Sequence, residues 1–183
     1  KVEEMTTNKS KKLGSRFIHQ ELNLINDLKV YENLFLSEEI KNKFGLLDKK
    51  TMIEKSKVII DKLKININPE EIVEYLDMPQ KQMIEIAKAL LFDSKLIIMD
   101  EPTTALTNKE IDSLFEIMKL LKSEGVSIIY ISHKMPELFS ICDSYTVLRD
   151  GKFIQTGYFS DINEKKATEL LVGRTLVEDE LES

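Results

Sequence analysis

The sequence predicts an α/β fold, in which a parallel sheet is interrupted by a mainly helical insert and followed by a C-terminal β-hairpin. Two short apolar segments, residues 95–100 and 126–133, are typical of strands that are buried on both faces of a parallel sheet. Between them, five apolar residues recur at helical spacing: Ile111, Leu114, Phe115, Met118 and Leu121. A strand, a helix and a second strand of these lengths form a parallel crossover unit.

The stretch from residue 30 to residue 92 differs from the sheet segments because its patterns are helical. Three segments in it have this pattern: residues 30–40, 51–64 and 82–92. Pro69 and Pro79 lie between the second and the third of these segments. We therefore expect a helical insert of about sixty residues between two pieces of sheet.

Local signals predict where the later elements begin and end. Residues 107–110 (Thr-Asn-Lys-Glu) form a capping box before the helix of the crossover unit, and Gly125 follows its end. The Asp150-Gly151 pair between residues 145–148 and 153–155 predicts a hairpin turn. Residues 167–172 predict a short final helix.

Composition excludes several classes of function. The 183 residues include 42% hydrophobic and 32% charged residues, which is typical of a globular domain. A net charge of −6 argues against nucleic acid as a partner. The single Cys142 cannot form an internal disulfide, and only two histidines are present, so a Cys/His metal site is not expected. No apolar run approaches the ~20 residues that span a bilayer.

The strongest chemical signal is the pair of carboxylates that ends the first apolar strand, Asp100 and Glu101. The carboxyl edge of an open α/β sheet is where ligands bind. There Asp100 can hold the Mg²⁺ of a nucleotide, and Glu101 can orient or deprotonate an attacking water. The alternative interpretation is that the Asp-Glu-Pro sequence only ends a strand with a solvated turn.

A second signal is His133, which follows the next strand of the predicted sheet. Adjacent parallel strands end at the same edge, so His133 and Glu101 are expected to face one cleft. A single histidine after a strand is more often structural. The shared edge favours the functional interpretation here.

Several motifs together resemble those of ABC ATPases. Residues 100–106, which include Ala105 and Leu106, resemble the Walker B motif and D-loop, and residues 131–133 resemble the H-loop. Gln20 is similar to the Q-loop glutamine, and residues 82–90 are similar to the helix that follows the ABC signature. The order and spacing of the motifs extend over nearly the whole chain. The resemblance implies a P-loop NTPase-like ABC core with a helical subdomain.

The resemblance also implies roles for individual residues toward ATP and Mg²⁺. Gln20 would contact Mg²⁺ and sense the nucleotide, and Asp100 would support the metal. Glu101 would be the general base, and His133 would contact the γ-phosphate. Ala105 and Leu106 would belong to the nucleotide-binding D-loop.

A narrower resemblance is to the first cassette of ribose- and galactose-type importers. It rests on residues 19–24, 32–36, 131–139 with 142–143, 147–151 and 172–174. It implies a cytoplasmic protein on the inner face of the cell membrane, bound to a membrane permease. Its other partners would be a second cassette, fused in tandem or dimeric, and indirectly a periplasmic or extracellular sugar-binding protein.

This resemblance also implies how the chain divides. Residues 1–29 would be a remnant of the ATPase core with the Q-loop. Residues 30–92 would form the helical subdomain that ends in the signature helix and receives a coupling helix of the permease. Residues 93–183 would complete the core with Walker B, D-loop and H-loop.

The chain departs from the family at the phosphate-binding loop. No Gly-x-x-x-x-Gly-Lys-Ser/Thr sequence is present, although the backbone and lysine of that loop normally hold the phosphates. Truncation of an upstream portion is the simplest interpretation, and a degenerate paralogue is the alternative. We therefore expect the isolated chain to be inactive.

A second departure is the signature. The family has Leu-Ser-Gly-Gly-Gln or a near variant, whereas residues 76–80 read Leu-Asp-Met-Pro-Gln. We call residues 77–80 (Asp77, Met78, Pro79 and Gln80) the signature segment, and the resemblance implies that it faces the partner cassette's nucleotide. The segment is a poor phosphate site because Pro79 has no N–H and Asp77 is anionic. It is a good helix start, with Asp77 as cap and Gln80 at the third position.

The hypothesis favoured by the sequence is the ATP-binding subunit of a monosaccharide importer. Two alternatives remain open. One is an ABC ATPase outside transport that acts on DNA or ribosomes, and the acidic charge argues against it. The other is a catalytically inactive cassette that serves as an assembly module, and the missing loop and altered signature favour it.

Overall fold

The computed structural model describes residues 14–19, 22–92 and 94–173, which form two compact units. The first unit is Lys1–Ile131 and the second is Ser132–Ser183. The α/β class predicted from the sequence is confirmed. The predicted domain boundaries at residues 29/30 and 92/93 stay a prediction.

A parallel sheet organises the first unit. Its strands are β1 (Ser15–Ile18), β2 (Leu96–Asp100) and β3 (Ser127–Ile131), in the order β1-β2-β3. Strands β2 and β3 are parallel neighbours, as the crossover pattern predicts. Strand β1 was not predicted, because its four residues include two polar ones and are too few to show a period.

Four α-helices and one 3-10 turn complete the described part of the first unit. They are α1 (Val30–Leu34), α2 (Lys49–Lys62), the 3-10 turn Val73–Tyr75, α3 (Met78–Leu90) and α4 (Asn108–Ser123). Helix α4 connects β2 to β3, and the ring of its Phe115 packs edge-on against Tyr130 of β3. The insert between β1 and β2 is therefore helical, as predicted.

The sheet is well covered on one face only. Ile18, Ile97 and Met99 lie on the covered face and are fully buried. On the opposite face, Phe17, Ile98 and Ile129 are in register, and Phe17 and Ile129 are 44% and 48% exposed. The prediction that both apolar strands are buried on both faces is therefore wrong for β3, where Ser127, Ile129 and Ile131 are exposed and, among the described residues, helix α4 packs on the side of Tyr130.

The first helix of the insert is shorter than the sequence pattern predicts. Helix α1 ends at Leu34 instead of residue 40, and Ser37 has a φ of 68°. A left-handed residue cannot continue a right-handed helix, so the chain turns there. Phe35, Leu36 and Ile40, which the sequence pattern assigned to this helix, therefore lie beyond its end.

Side-chain caps mark the starts of α2 and α4, and the cap of α4 was predicted from the sequence. The carboxylate of Asp48 accepts from the backbone N–H of Thr51 at the start of α2. At the start of α4, Glu110 Oε2 accepts from both the backbone N–H and the hydroxyl of Thr107, each at 2.8 Å. Gly125 follows the end of α4 with a φ of 86°, as expected for a helix stop.

The second unit is built on a β-hairpin. Its elements are α5 (Met135–Ile141), β4 (Ser144–Arg149), β5 (Lys152–Tyr158), the 3-10 turn Phe159–Asp161 and α6 (Glu164–Val172). Asp150 and Gly151 have φ values of 52° and 72°, so the turn predicted from this pair is confirmed. In the part of the chain that the structure describes, every helix is too short or too polar to cross a membrane.

Candidate functional site

The predicted carboxylate pair lies at the carboxyl end of the central strand. Asp100 is the last residue of β2 and is in register with Ile131, the last residue of β3. Glu101 follows with a φ of 48°, and its backbone N–H donates to the carbonyl of Ile131 at 2.9 Å. A positive φ is uncommon for glutamate and costs of order 1–2 kcal/mol. Strained residues of this kind cluster at functional sites.

The turn after β2 holds this backbone conformation. The Glu101 carbonyl accepts from the Thr104 hydroxyl at 3.1 Å and from the Thr104 N–H at 3.3 Å. Pro102 and Thr103, within this turn, are buried. The N–H of Leu106 donates to the carbonyl of Thr103. Ala105 and Leu106 are half-buried. The segment predicted as a D-loop is therefore a tight turn between β2 and the cap of α4.

The donor chemistry of the pair fits a magnesium nucleotide. Carboxylate oxygens suit Mg²⁺, which usually keeps several waters and shares its coordination with substrate phosphates. Among the described residues no group of three or more Asp, Glu, His or Cys side chains could hold a metal. A cation held partly by one carboxylate and partly by phosphates does not need such a group.

Two other predicted site residues, His133 and Gln20, lie outside the turn after β2. His133 is exposed and stands two residues after β3, but it belongs to the second compact unit. The common cleft of His133 and Glu101 stays a prediction. Gln20 lies outside the described residues.

The signature segment has well-defined local geometry. Asp77 Oδ1 accepts from the backbone N–H of Gln80 at 2.8 Å, and Gln80 Oε1 accepts from the backbone N–H of Asp77 at 3.0 Å. This is a reciprocal capping box at the start of α3, with Pro79 in the first turn. The helix start predicted from the sequence is confirmed. Contact of residues 77–80 with a nucleotide stays a prediction.

Sequence reasoning missed two residues that hold the segment after Gln20. Oε1 of the buried Glu85, on α3, accepts from the backbone N–H of Asn23 at 3.0 Å. The fully buried Asn33, on α1, accepts from the N–H of Ile25 at 2.8 Å and donates to its carbonyl at 3.0 Å. Glu85 was detectable as a lone carboxylate among apolar neighbours of α3. Asn33 had no comparable signal.

Glu85 has an unusual electrostatic environment for a carboxylate. Burial raises its pKa above the ordinary value of 4.5. The Lys88 cation, the N–H of Asn23 and the nearby His19 act in the opposite direction without cancelling the effect of burial. An ionised carboxylate at this buried position lowers the stability of the fold. The contact of Glu85 with the Asn23 backbone therefore indicates a role other than stabilisation.

A recess of about 240 Å³ lies elsewhere, between the end of α2 and α4. Its lining includes Leu63, Ser113 and Ile117, and no predicted site residue. An exposed ion pair between Lys64 and Glu116 at 3.1 Å stands at its rim. The lining of the recess contains neither Asp100 nor Glu101, so the carboxyl edge of the sheet remains the better candidate site.

Comparison with curated proteins finds relatives with related names. The chain is 45% identical to the ribose import ATP-binding protein RbsA of Oceanobacillus iheyensis over 97% of its length, which is 36% of that protein. Identity to the proteins of the same name from Clostridium perfringens strain SM101 and Bacillus licheniformis is 46% and 47%, over 89% and 90% of the chain. These matches are 33% and 34% of the relatives' lengths, so the chain spans about a third of each.

A solved structure and a family model match as well. An ATP-binding cassette solved as a dimer in a post-hydrolysis state bound to ADP and Pi superposes with a TM-score of 0.72. The two are 20% identical over 85% of this chain and 68% of the other, which confirms the predicted ABC-type P-loop fold. The family model described as "ABC transporter" matches residues 2–104, more than half of the chain. The chain therefore belongs to the ABC transporter family.

Proposed function

We propose that the protein is the ATP-binding subunit of an ABC importer that couples ATP hydrolysis to the uptake of a monosaccharide such as ribose or galactose. The observation that best supports hydrolysis is Glu101, which is held at a positive φ directly after Asp100 at the carboxyl edge of the sheet. The sugar is inferred from the relatives, which are named ribose import proteins at 45–47% identity.

In this proposal the two carboxylates have separate roles. Bound Mg·ATP supplies the electrophilic γ-phosphoryl group. Asp100 supports the Mg²⁺, since carboxylate oxygen is a preferred ligand of this cation. Glu101 accepts a hydrogen bond or proton from the attacking water. The fixed turn 101–104 orients the Glu101 side chain and so limits the entropy lost on reaction.

The remaining site residues are assigned by their place in the motifs. Gln20 contacts Mg²⁺ and His133 the γ-phosphate, while Ala105 and Leu106 line the D-loop. The signature segment, residues 77–80, faces the nucleotide of a second cassette. That cassette is fused in tandem or supplied by a dimer partner.

The proposed organisation follows from these roles. Residues 1–29 and 93–183 belong to the ATPase core, and residues 30–92 form the helical subdomain that contacts a membrane permease. We place the protein at the cytoplasmic face of the membrane, where a separate sugar-binding protein acts indirectly through the permease. The 183 residues alone are proposed to have negligible ATPase activity, because they contain no Gly-x-x-x-x-Gly-Lys-Ser/Thr sequence.

A second candidate function is a catalytically inactive cassette that serves as an assembly module. The signature segment favours this candidate. In the family the signature binds a γ-phosphate, whereas here Asp77 adds a negative charge at that position and Pro79 has no N–H to donate. Both residues are used in starting α3. This candidate predicts binding to a permease without ATP turnover.

Reconstitution of the protein from its complete reading frame, with its permease and binding protein in proteoliposomes, tests these candidates. We expect ATP-dependent accumulation of labelled ribose or galactose, its loss in Glu101→Gln, and no change in Glu124→Gln. Glu124 is an exposed carboxylate at the other end of α4 and serves as the matched control. ATP hydrolysis without sugar uptake would indicate an ABC ATPase outside transport. Complex formation with no hydrolysis would indicate the assembly module.

A further inference from the structure

Helix α3 contains a buried carboxylate that the proposed mechanism does not use. Glu85 is 8% exposed and stands between Ile84 and Ile86, which are fully buried. Glutamate is rarely buried unless it has a specific partner, because removing a charge from water is costly. A carboxylate at this position therefore lowers the stability of the fold, and the hydrogen-bond partner of Glu85 indicates what the carboxylate does.

That partner is a backbone group close to the predicted Q-loop. Glu85 Oε1 accepts from the N–H of Asn23 at 3.0 Å. The Asn23 side chain is exposed, so Glu85 holds the course of the main chain at this point. Asn23 stands three residues after Gln20, the residue to which the proposed function assigns contact with Mg²⁺.

The rest of the segment is anchored by other elements. Asn33 on α1 holds both the N–H and the carbonyl of Ile25. The N–H groups of Val73 and Glu74 donate to the carbonyls of Leu28 and Asn26 at 3.0 and 2.9 Å. Of these anchors, Glu85 contacts the chain closest to Gln20 and is contributed by α3.

Helix α3 begins at the signature segment. Glu85 lies eight residues after Asp77, a separation of about 12 Å along a helix that rises 1.5 Å per residue. An α-helix transmits displacement along its axis because its backbone is hydrogen-bonded throughout. A shift of α3 at its first turn would therefore reach the Asn23 backbone through Glu85.

We propose that Glu85 is a positioning residue that couples helix α3 to the segment following Gln20 and so sets the geometry of Mg²⁺ at the site. The inference rests on the proposed ATPase function. Its effect is exerted through a hydrogen-bond acceptor and not through charge, since the contact is to a neutral backbone N–H. Partners of this indirect kind typically change metal affinity or activity by about 10–100-fold.

The test compares Glu85→Leu with Glu85→Gln in the protein from the complete reading frame. Leucine removes the acceptor, and we expect the Mg²⁺ concentration for half-maximal ATPase rate to rise about tenfold or more. Glutamine retains an acceptor oxygen, so we expect a change of less than about twofold. Ser56→Ala is the matched control: Ser56 is a buried residue on α2 that bonds only to the Met52 carbonyl of its own helix among the contacts described.

Removing the donor tests the same hydrogen bond if the leucine variant does not fold. Asn23→Pro deletes the N–H, whereas Asn23→Ala keeps it and removes the side chain. The proposal requires a clearly larger rise in the Mg²⁺ requirement in the proline variant than in the alanine variant. It is overturned if both acceptor-side and donor-side variants keep the wild-type Mg²⁺ dependence, or if Glu85→Gln is as impaired as Glu85→Leu.

Amide hydrogen exchange separates this proposal from the proposed function. The N–H of Asn23 should exchange about tenfold faster in Glu85→Leu than in wild type or Glu85→Gln, whether or not ATP is hydrolysed. A wild-type protein without ATPase activity would refute the proposed function, and the role of Glu85 in setting Mg²⁺ geometry with it. Equal exchange in all three proteins would refute the contact itself.

Discussion

Asp77 and Gln80 exchange two hydrogen bonds across the first turn of α3, from the Gln80 N–H to Asp77 Oδ1 at 2.8 Å and from the Asp77 N–H to Gln80 Oε1 at 3.0 Å. The carboxylate that departs from the ABC signature is thus the cap of the helix. A serine at this position would cap the helix equally well and would bring no negative charge. The choice of aspartate is therefore not required by helix formation.

The first prediction concerns this segment. In the protein from the complete reading frame, Asp77→Ser combined with Pro79→Gly should raise the ATPase rate or tighten the nucleotide-bound dimer. If the signature segment faces a γ-phosphate, as proposed, the double variant removes a carboxylate that would repel it by about 1–4 kcal/mol at contact distance, and restores one N–H donor. ATP turnover and melting temperature, measured on the same double variant, distinguish a role in phosphate binding from a role in starting the helix. Unchanged turnover with lower stability would mean that these residues only start the helix.

Asp77→Ala is the matched variant for the capping role. Alanine has no side-chain acceptor, so the Gln80 N–H loses its partner, and the variant should be less stable than Asp77→Ser by about 1 kcal/mol. Urea unfolding of the two variants measures the difference. Equal stability would show that the capping box contributes little in solution.

The second prediction concerns Glu101. Glu101→Gln should lower ATP turnover about a hundredfold or more and leave ATP binding nearly unchanged, because the amide keeps the shape of the side chain but is not a base. Steady-state kinetics and nucleotide titration measure the two effects. Glu124→Gln, the exposed control on α4, should keep wild-type turnover. Wild-type turnover in Glu101→Gln would remove this carboxylate from the mechanism.

The third prediction concerns His133. If this side chain contacts the γ-phosphate, His133→Ala should likewise reduce turnover about a hundredfold or more. Because His133 is exposed, the variant should melt within a degree or two of wild type. A large loss of stability without a loss of turnover would favour the structural interpretation of this histidine.

The fourth prediction uses the raised pKa of Glu85. A carboxyl whose pKa is higher in the folded state than in the unfolded state stabilises the fold below its unfolded pKa, and this contribution is lost as pH rises through the folded pKa. Glutamine does not ionise. Glu85→Gln should therefore be more stable than wild type near neutral pH. The advantage should shrink as pH falls through the raised folded pKa and should change no further below the unfolded value of about 4.5.

The groups around Glu85 set the sign of this prediction. Lys88 and His19 favour the ionised carboxylate, as does the N–H of Asn23, but burial opposes it more strongly. Urea unfolding of both proteins at several pH values measures the difference. A stability advantage that grows toward acid pH would contradict the raised pKa.

The fifth prediction compares two ion pairs. Arg16 on β1 contacts both carboxylate oxygens of Glu38, at 2.5 and 3.1 Å, and its guanidinium lies 4.8 Å from the ring centroid of Phe92. Both partners are largely shielded from solvent. Glu38→Ala should cost about 2 kcal/mol, because it removes the partner of a largely buried cation.

The matched control is the exposed pair of Lys64 and Glu116, whose side chains are 70% and 67% exposed. Glu116→Ala should cost less than about 0.5 kcal/mol, because solvent screens the pair. Denaturant unfolding measures both costs. Equal costs would show that Arg16 finds another partner when Glu38 is removed.

Elements with local signals were predicted well from the sequence. The start of α4 at the Thr107–Glu110 contact, its stop at Gly125 and the hairpin turn at Asp150-Gly151 depend on residues within four positions of each other. Such interactions need no partner from a distant part of the chain. The strand that ends at Asp100 was also evident, because its apolar run is bounded by polar residues.

Features that depend on distant parts of the chain were not predicted. Strand β1 exists because Ser15 to Ile18 pair with β2, which lies about eighty residues later. The contact of Glu85 with Asn23 joins residues 62 positions apart, and no local signal encodes such a pairing.

The positive φ of Glu101 has a consequence for how this protein evolves. At a φ of 48°, asparagine or glycine has a lower conformational free energy than glutamate, so stability alone favours replacing Glu101. A lineage released from selection for hydrolysis would drift toward those residues, as would a laboratory library screened only for thermostability. Glutamate persists at such a position only while a requirement other than stability selects it, and that requirement is what a deep mutational scan scored on sugar uptake would reveal.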